Sequence, residues 1–179
     1  MTGDEKQLPA AVGCNLAFVT PHQSDSAVQR EAETAIIDAL AAKLGVALAT
    51  GGTLSLDEGV RIHLDARSAD GKVAVEAFAR QGKLKAGQRK KIAQDVLKLA
   101  LLRREPGYTD VRPIIVFASE EARSSITGWV KHAAGAFGVE LHVVDIDPGL
   151  REAIIATQLR QKMVNVDLSA AADDLTIQE

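Results

Sequence analysis

The stretch that decides the fold runs from Val60 to Arg80, VRIHLDARSADGKVAVEAFAR. Val60, Ile62 and Leu64 alternate with Arg61, His63 and Asp65, a period of two that belongs to a β-strand. Ala69-Asp70-Gly71 then has the turn chemistry of a hairpin. From Lys72 to Arg80 the alternation resumes, with Val73, Val75, Ala77 and Ala79 on one face and Ala74, Glu76, Phe78 and Arg80 on the other. Glu76 is flanked by apolar residues on both sides, and a carboxylate in such a run needs a partner, because a buried unpaired charge is strongly unfavourable.

Working outward, Ser24 to Ser26 supply small polar side chains that cap a helix start. Val28, Ala32, Ala35, Ile36, Ala39, Leu40 and Leu44 then recur at helical spacing until Gly45. Ala47 to Leu56 reads as a strand interrupted at Gly51-Gly52, where the backbone bulges or bends. After Gln81-Gly82 the period changes to three and four, predicting a helix from Ala86 to Arg104 that Pro106-Gly107 stops. Ile114 to Ala118 is a continuous apolar run of the kind covered on both faces of a sheet. Ser119-Glu120-Glu121 opens a helix with Ile126, Trp129, Val130 and Ala133 inward. Val139 to Ile146 is a strand, and Asp147-Pro148 starts a last helix to about Met163, with Asp147 as its cap.

This order predicts an α/β fold in which a mixed central sheet of about five strands is flanked by helices. The first three strands form an antiparallel meander, and the last two are parallel through a helical crossover. The boundaries are an irregular segment over 1–24, a single α/β domain over 25–165 and a tail over 166–179. At 179 residues, 46% of them hydrophobic, the chain suits one well-buried core.

Composition excludes several function classes. A net charge of −3 rules out a globally basic coat, so any contact with phosphate is local. Aromatics at 3% argue against a platform of successive stacked rings. The single Cys14 precludes a disulfide framework or a thiolate metal cluster, and apolar neighbours make it an inert buried thiol. No segment has the apolar length of a secretion signal or of a membrane span of roughly 20 residues, so a cytoplasmic protein with no membrane attachment is expected. His22, His132 and His142 share no ligand spacing, and Ser124-Ser125 lacks a nucleophile elbow.

Chemistry concentrates between Arg61 and Lys98. Asp65 and Glu76 stand on consecutive strands, and if they share a face they can hold a hard divalent cation, Mg²⁺ or Mn²⁺, between them. The competing account makes Asp65 a strand end and Glu76 a solvated edge charge. The basic run Lys83, Lys85, Arg89, Lys90 and Lys91 can grip a nucleic-acid backbone, or merely solvate a helix start whose dipole it opposes. Lys91, Asp95 and Lys98, spaced at four and three, fit a surface ion-pair ladder.

Element order and the two acids resemble the PD-(D/E)xK nuclease superfamily, whose restriction-endonuclease-like core is a helix, a three-stranded meander, a helix and a further strand. Asp65 in Ile62-His63-Leu64-Asp65 matches that family's first metal-binding acid, and Glu76 in Val75-Glu76-Ala77-Phe78 matches the second. Phe78 stands where the family has its lysine. Some branches move that lysine to the following helix, which makes Lys91, with Gln88 one turn before it, the replacement; Arg80 is the rival cation. Glu33, or Glu31, is similar to the extra acid that several branches carry on the first helix. The resemblance implies a metal-dependent phosphodiesterase, or a nuclease-derived nucleic-acid-binding domain, with a homodimer expected on resemblance alone. The alternative is a catalytically inactive α/β domain that binds a protein partner in a larger assembly.

Overall fold

The computed structural model describes residues 21–175, with side chains from 27 to 161. Cys14 and most of the expected irregular segment lie outside those residues. The elements follow the predicted order: α1 (Pro21–Leu44), β1 (Leu48–Thr50), β2 (Thr53–Ser55), a short 3-10 turn, β3 (Arg61–His63), β4 (Ala66–Ser68), β5 (Val73–Phe78), α2 (Ala86–Leu102), β6 (Arg112–Phe117), α3 (Glu120–Ser124), α4 (Gly128–Ala136), β7 (Glu140–Val143) and α5 (Pro148–Leu175).

Five strands form one mixed sheet in the order β1-β4-β5-β6-β7. The pairs β1–β4 and β4–β5 are antiparallel, whereas β5–β6 and β6–β7 are parallel, each reached through helices. The protein is thus α/β with a five-stranded mixed sheet flanked by helices. β2 and β3 pair separately, yet their register continues that of β1 and β4 without a slip. Gly51 N donates to Asp65 O at 2.6 Å and Leu64 N to Gly52 O at 3.0 Å, joining the two ladders into one bent hairpin. Gly51 and Gly52, at φ 70° and 148°, make the bend on the first strand.

The second strand bends by a different device. Ala66 pairs with Val75 in register, but Asp65 N also donates to Val75 O, at 3.1 Å. Two residues of one strand therefore stand opposite one of the other, which is a β-bulge. Beyond it the β3 arm leaves β5 and pairs only with β2.

Two apolar layers cover the sheet. On one side α1 and α5 pack Ala32, Ile36, Ile37, Leu40 and Ile154 against Ala66, Val73, Val75, Ala77, Ile114 and Val116. On the other, α2, α3 and α4 pack Ile92, Val96, Leu99, Ala122 and Val130 against Ala74, Phe78, Ile115 and Phe117. Phe78 and Phe117 stack at 5.7 Å between ring centres.

Two expectations are corrected. The predicted helix from Ser119 is two helices: Ser119 caps α3 as expected, but the chain breaks at 125–127 before α4. Trp129, in the first turn after the break, points outward at 72% exposure instead of inward, whereas Val130 and Ala133 turn to the core as expected. The last helix, capped by Asp147 Oδ1 on Leu150 N at 3.1 Å, continues to Leu175 instead of stopping near Met163. No helix among the described residues is long and apolar enough to cross a membrane.

Candidate functional site

Where β3 peels away from β5, two backbone groups lose the partners a regular ladder would provide, and polar side chains take their places. Ala77 N donates to Asp65 Oδ2 at 2.8 Å, and His63 O accepts from Lys98 Nζ at 3.0 Å. The bulge thus aims the Asp65 carboxylate along the sheet and opens a gap at the carboxyl end of β5.

That gap is the mouth of a cavity of about 340 Å³. Asp65, Ala77, Phe78, Ala79 and Arg80 form its floor; Gln29 and Glu33 come from α1, Gln88 and Lys91 from α2, and Thr157, Gln158 and Gln161 from α5. Four of the five residues expected to act together, Asp65, Lys91, Gln88 and Glu33, therefore meet at one opening. Arg80 joins them, and its buried Nε has no hydrogen-bond partner among the described residues. Glu31 is exposed and does not line the cavity.

Glu76 lies behind the opening, at 1% exposure, and does not line it. It faces α2 with Ala74 and Phe78, where Lys98 Nζ meets its Oε1 at 2.6 Å. Lys98 also pairs with Asp95 at 3.2 Å, and Asp95 with Lys91 at 3.0 Å. The expected surface ladder is therefore corrected: Asp95 is 5% exposed, and the ladder runs inward to a buried acid. Lys98 and Asp95 were missed as members of the site. The signal was present in the helix, because Asp95 shares the stripe of Ile92, Val96, Leu99 and Leu102 that spacing alone turns inward.

Burial pushes the Glu76 carboxyl up from 4.5 to about 7; Lys98 works against this, and the charges of Asp65 and Asp95 add to it. Burial opposes the Lys98 ammonium, but the adjoining Glu76 and Asp95 outweigh it and raise its pKa. Lys98 is thus a fixed cation beside an acid that changes charge near neutrality.

The remaining expected residues divide by location. Lys91 Nζ lies 4.7 Å from the centre of the Phe78 ring, so the cation from α2 covers that side chain. Gln88 Oε1 accepts from Lys85 N at 2.8 Å, which caps α2 and leaves the amide NH₂ for the cavity. Glu33 accepts from Gln29 at 2.7 Å. Lys83, Lys85, Arg89 and Lys90 are all exposed and enter no ion pair among the described residues. His142 is held by Glu140 at 2.8 Å, as a satisfied structural histidine is.

Among the described residues no group of three or more histidine, cysteine or acidic side chains gathers as a metal cage. Comparison with protein-family models, with curated proteins and with solved structures finds no match to this chain.

Proposed function

We propose that the chain is a metal-dependent phosphodiesterase of the nuclease type, or a nucleic-acid-binding domain derived from one, of the PD-(D/E)xK kind with a restriction-endonuclease-like core. The observation that carries this reading is the convergence of Asp65, Glu33, Gln88, Lys91 and Arg80, from separate elements, on one opening with Glu76 behind it. Asp65 and Glu76 are the residues that would hold Mg²⁺ or Mn²⁺. Asp65 spends one oxygen on Ala77 N and keeps the other, and two carboxylates suffice for an ion that retains most of its waters. Such an ion would acidify a bound water and polarise a phosphoryl oxygen.

The other residues bind and orient. Arg80 and Lys91 meet the non-bridging phosphate oxygens, Gln88 orients water through its free amide, and Glu33 lies at the outer edge of the opening. Lys98 acts through Glu76, holding it in place, and is a positioning residue. Lys83, Lys85, Arg89 and Lys90 carry the flanking backbone.

The test is cleavage of single- and double-stranded DNA and RNA with Mn²⁺ or Mg²⁺, comparing wild type with Asp65→Asn. This variant keeps an oxygen for Ala77 N while losing the charge. Cleavage abolished in the variant, with a metal-induced rise in Tm present only in wild type, supports the reading. Absence of cleavage and of any metal-induced shift in wild type overturns it.

A second reading has an observation of its own. Lys98 already neutralises Glu76, as in a structural ion pair, and Leu97 and Leu101 stand exposed one turn apart on α2. These features fit an inactive α/β domain whose α2 face docks a protein partner or a second copy of the chain.

A further inference from the structure

Trp129 is the only tryptophan in the chain, and it is 72% exposed. Its ring borders a groove of about 230 Å³ between α4 and the first turn of α2, lined also by Ala86, Arg89, Lys90, Thr127 and Val130. No acid lines this groove. Lys91, Lys98, Arg112, Arg123 and Arg151 are each matched to a carboxylate, whereas Arg89 and Lys90 are matched to none among the described residues. In the adjoining loop Gly82 lies beside Glu121, and Glu120 is occupied by Arg123. An open aromatic face next to uncommitted positive charge is the pairing that receives a planar base attached to phosphate.

Placement along α2 strengthens the case. Gln88 and Lys91 line the cavity at the end of β5, and Arg89 and Lys90, between them in sequence, line the Trp129 groove. The two openings flank one helix turn and so lie roughly a helix diameter apart, about 10 Å. We infer that the Trp129 groove takes one unpaired base of a single-stranded nucleic acid, stacked on the indole, with its phosphates met by Arg89 and Lys90. A single ring stacks one base and forms no platform, in keeping with the low aromatic content. The inference rests on the nucleic-acid reading for its class of ligand, but not on cleavage.

The lone tryptophan is its own probe. Wild-type protein in EDTA is titrated with a thymidine oligonucleotide of about ten nucleotides, within the span of one single-strand site, and with a blunt-ended duplex. Intrinsic fluorescence is read beside the anisotropy of an end-labelled strand. Saturable quenching by the single strand and not by the duplex is expected. Trp129→Ala, at an exposed position, should weaken single-strand binding about tenfold, since a stacked base contributes roughly 1–3 kcal/mol. Arg89→Ala with Lys90→Ala should lower the slope of log affinity against log salt by about 1.4, two phosphates at roughly 0.7 each. Anisotropy binding without quenching, unchanged in Trp129→Ala, overturns base stacking while leaving the nucleic-acid reading intact. No binding by either signal overturns both. Quenching by a poly-glutamate peptide that the oligonucleotide fails to compete makes the groove an acidic-protein site and overturns the inference. Quenching that survives in Asp65→Asn separates this groove from the catalytic proposal.

Discussion

The two faces of β5 are built on different physics. Val73, Val75, Ala77 and Ala79 meet α1 and α5 across an aliphatic layer that area burial and close packing hold together, broken only at the cavity end, where Gln29, Glu33, Thr157, Gln158 and Gln161 stand beside Ala77 and Ala79. The opposite face starts from Ala74 and Phe78 in the same manner but sets Glu76 between them, and α2 answers with Asp95, Lys98 and Lys91. The first face resembles any dry core. The second keeps charge inside the protein, an arrangement that well-packed apolar side chains of similar volume commonly match or exceed in stability. The contrast sets the α2 side apart, because buried charge there departs from what folding alone would favour.

The largest expected effect comes from removing the central cation. Lys98→Met leaves Glu76 and Asp95 as buried acids and frees the carbonyl of His63, so urea denaturation at pH 8 should show a loss of about 3–5 kcal/mol. Adding Glu76→Gln to that variant should restore most of the loss; a double variant as unstable as the single one would show that Lys98 acts through the β3 arm and not through charge.

Glu76→Gln alone is next. A carboxyl raised from 4.5 to about 7 binds its proton more tightly when folded, so the contribution of Glu76 to stability is greatest below pH 4.5 and falls as pH rises toward 7. Above that the cost is complete, up to about 3 kcal/mol. In metal-free buffer the variant should lose this contribution and exceed wild type in Tm at pH 8, with the difference between the two vanishing near pH 4.5. Equal slopes across that range would remove the case for a buried, titrating acid.

The dry face supplies the control. Ile36→Val, at a fully buried site, should lower stability by about 1 kcal/mol, equally at pH 5 and pH 8. Lys91→Ala should have the smallest effect, below about 1 kcal/mol, because the lysine side chain is 57% exposed and its pair with Asp95 is screened. A larger loss would mean that its position over Phe78 contributes more than an exposed cation–π contact does.

Much of this was legible in the residues. Alternation from Val60 to Arg80 gives the hairpin, the Ile114 run gives a strand covered on both sides, and an acid among valines and alanines announces a partnered charge. The identity of that partner was hidden, although the stripe through Ile92, Asp95 and Leu99 places the ladder inward. What no local pattern carries is the bulge at Asp65, which depends on register between two strands and decides where the carboxylate points. Trp129 faces outward although Val130 and Ala133, read from the same spacing, face the core; it sits in the first turn of α4 just after the break at 125–127, at the edge of the inward stripe.

The bulge also determines which kind of change the opening tolerates least. Point substitutions around it trim charge or volume, but loss of one residue at Asp65 would remove the bulge and let the detached arm continue the ladder on β5, with Leu64 kept on the α2 side and Ala66 on the α1 side. Length in this hairpin therefore governs whether the opening exists at all, which no side-chain replacement around it does.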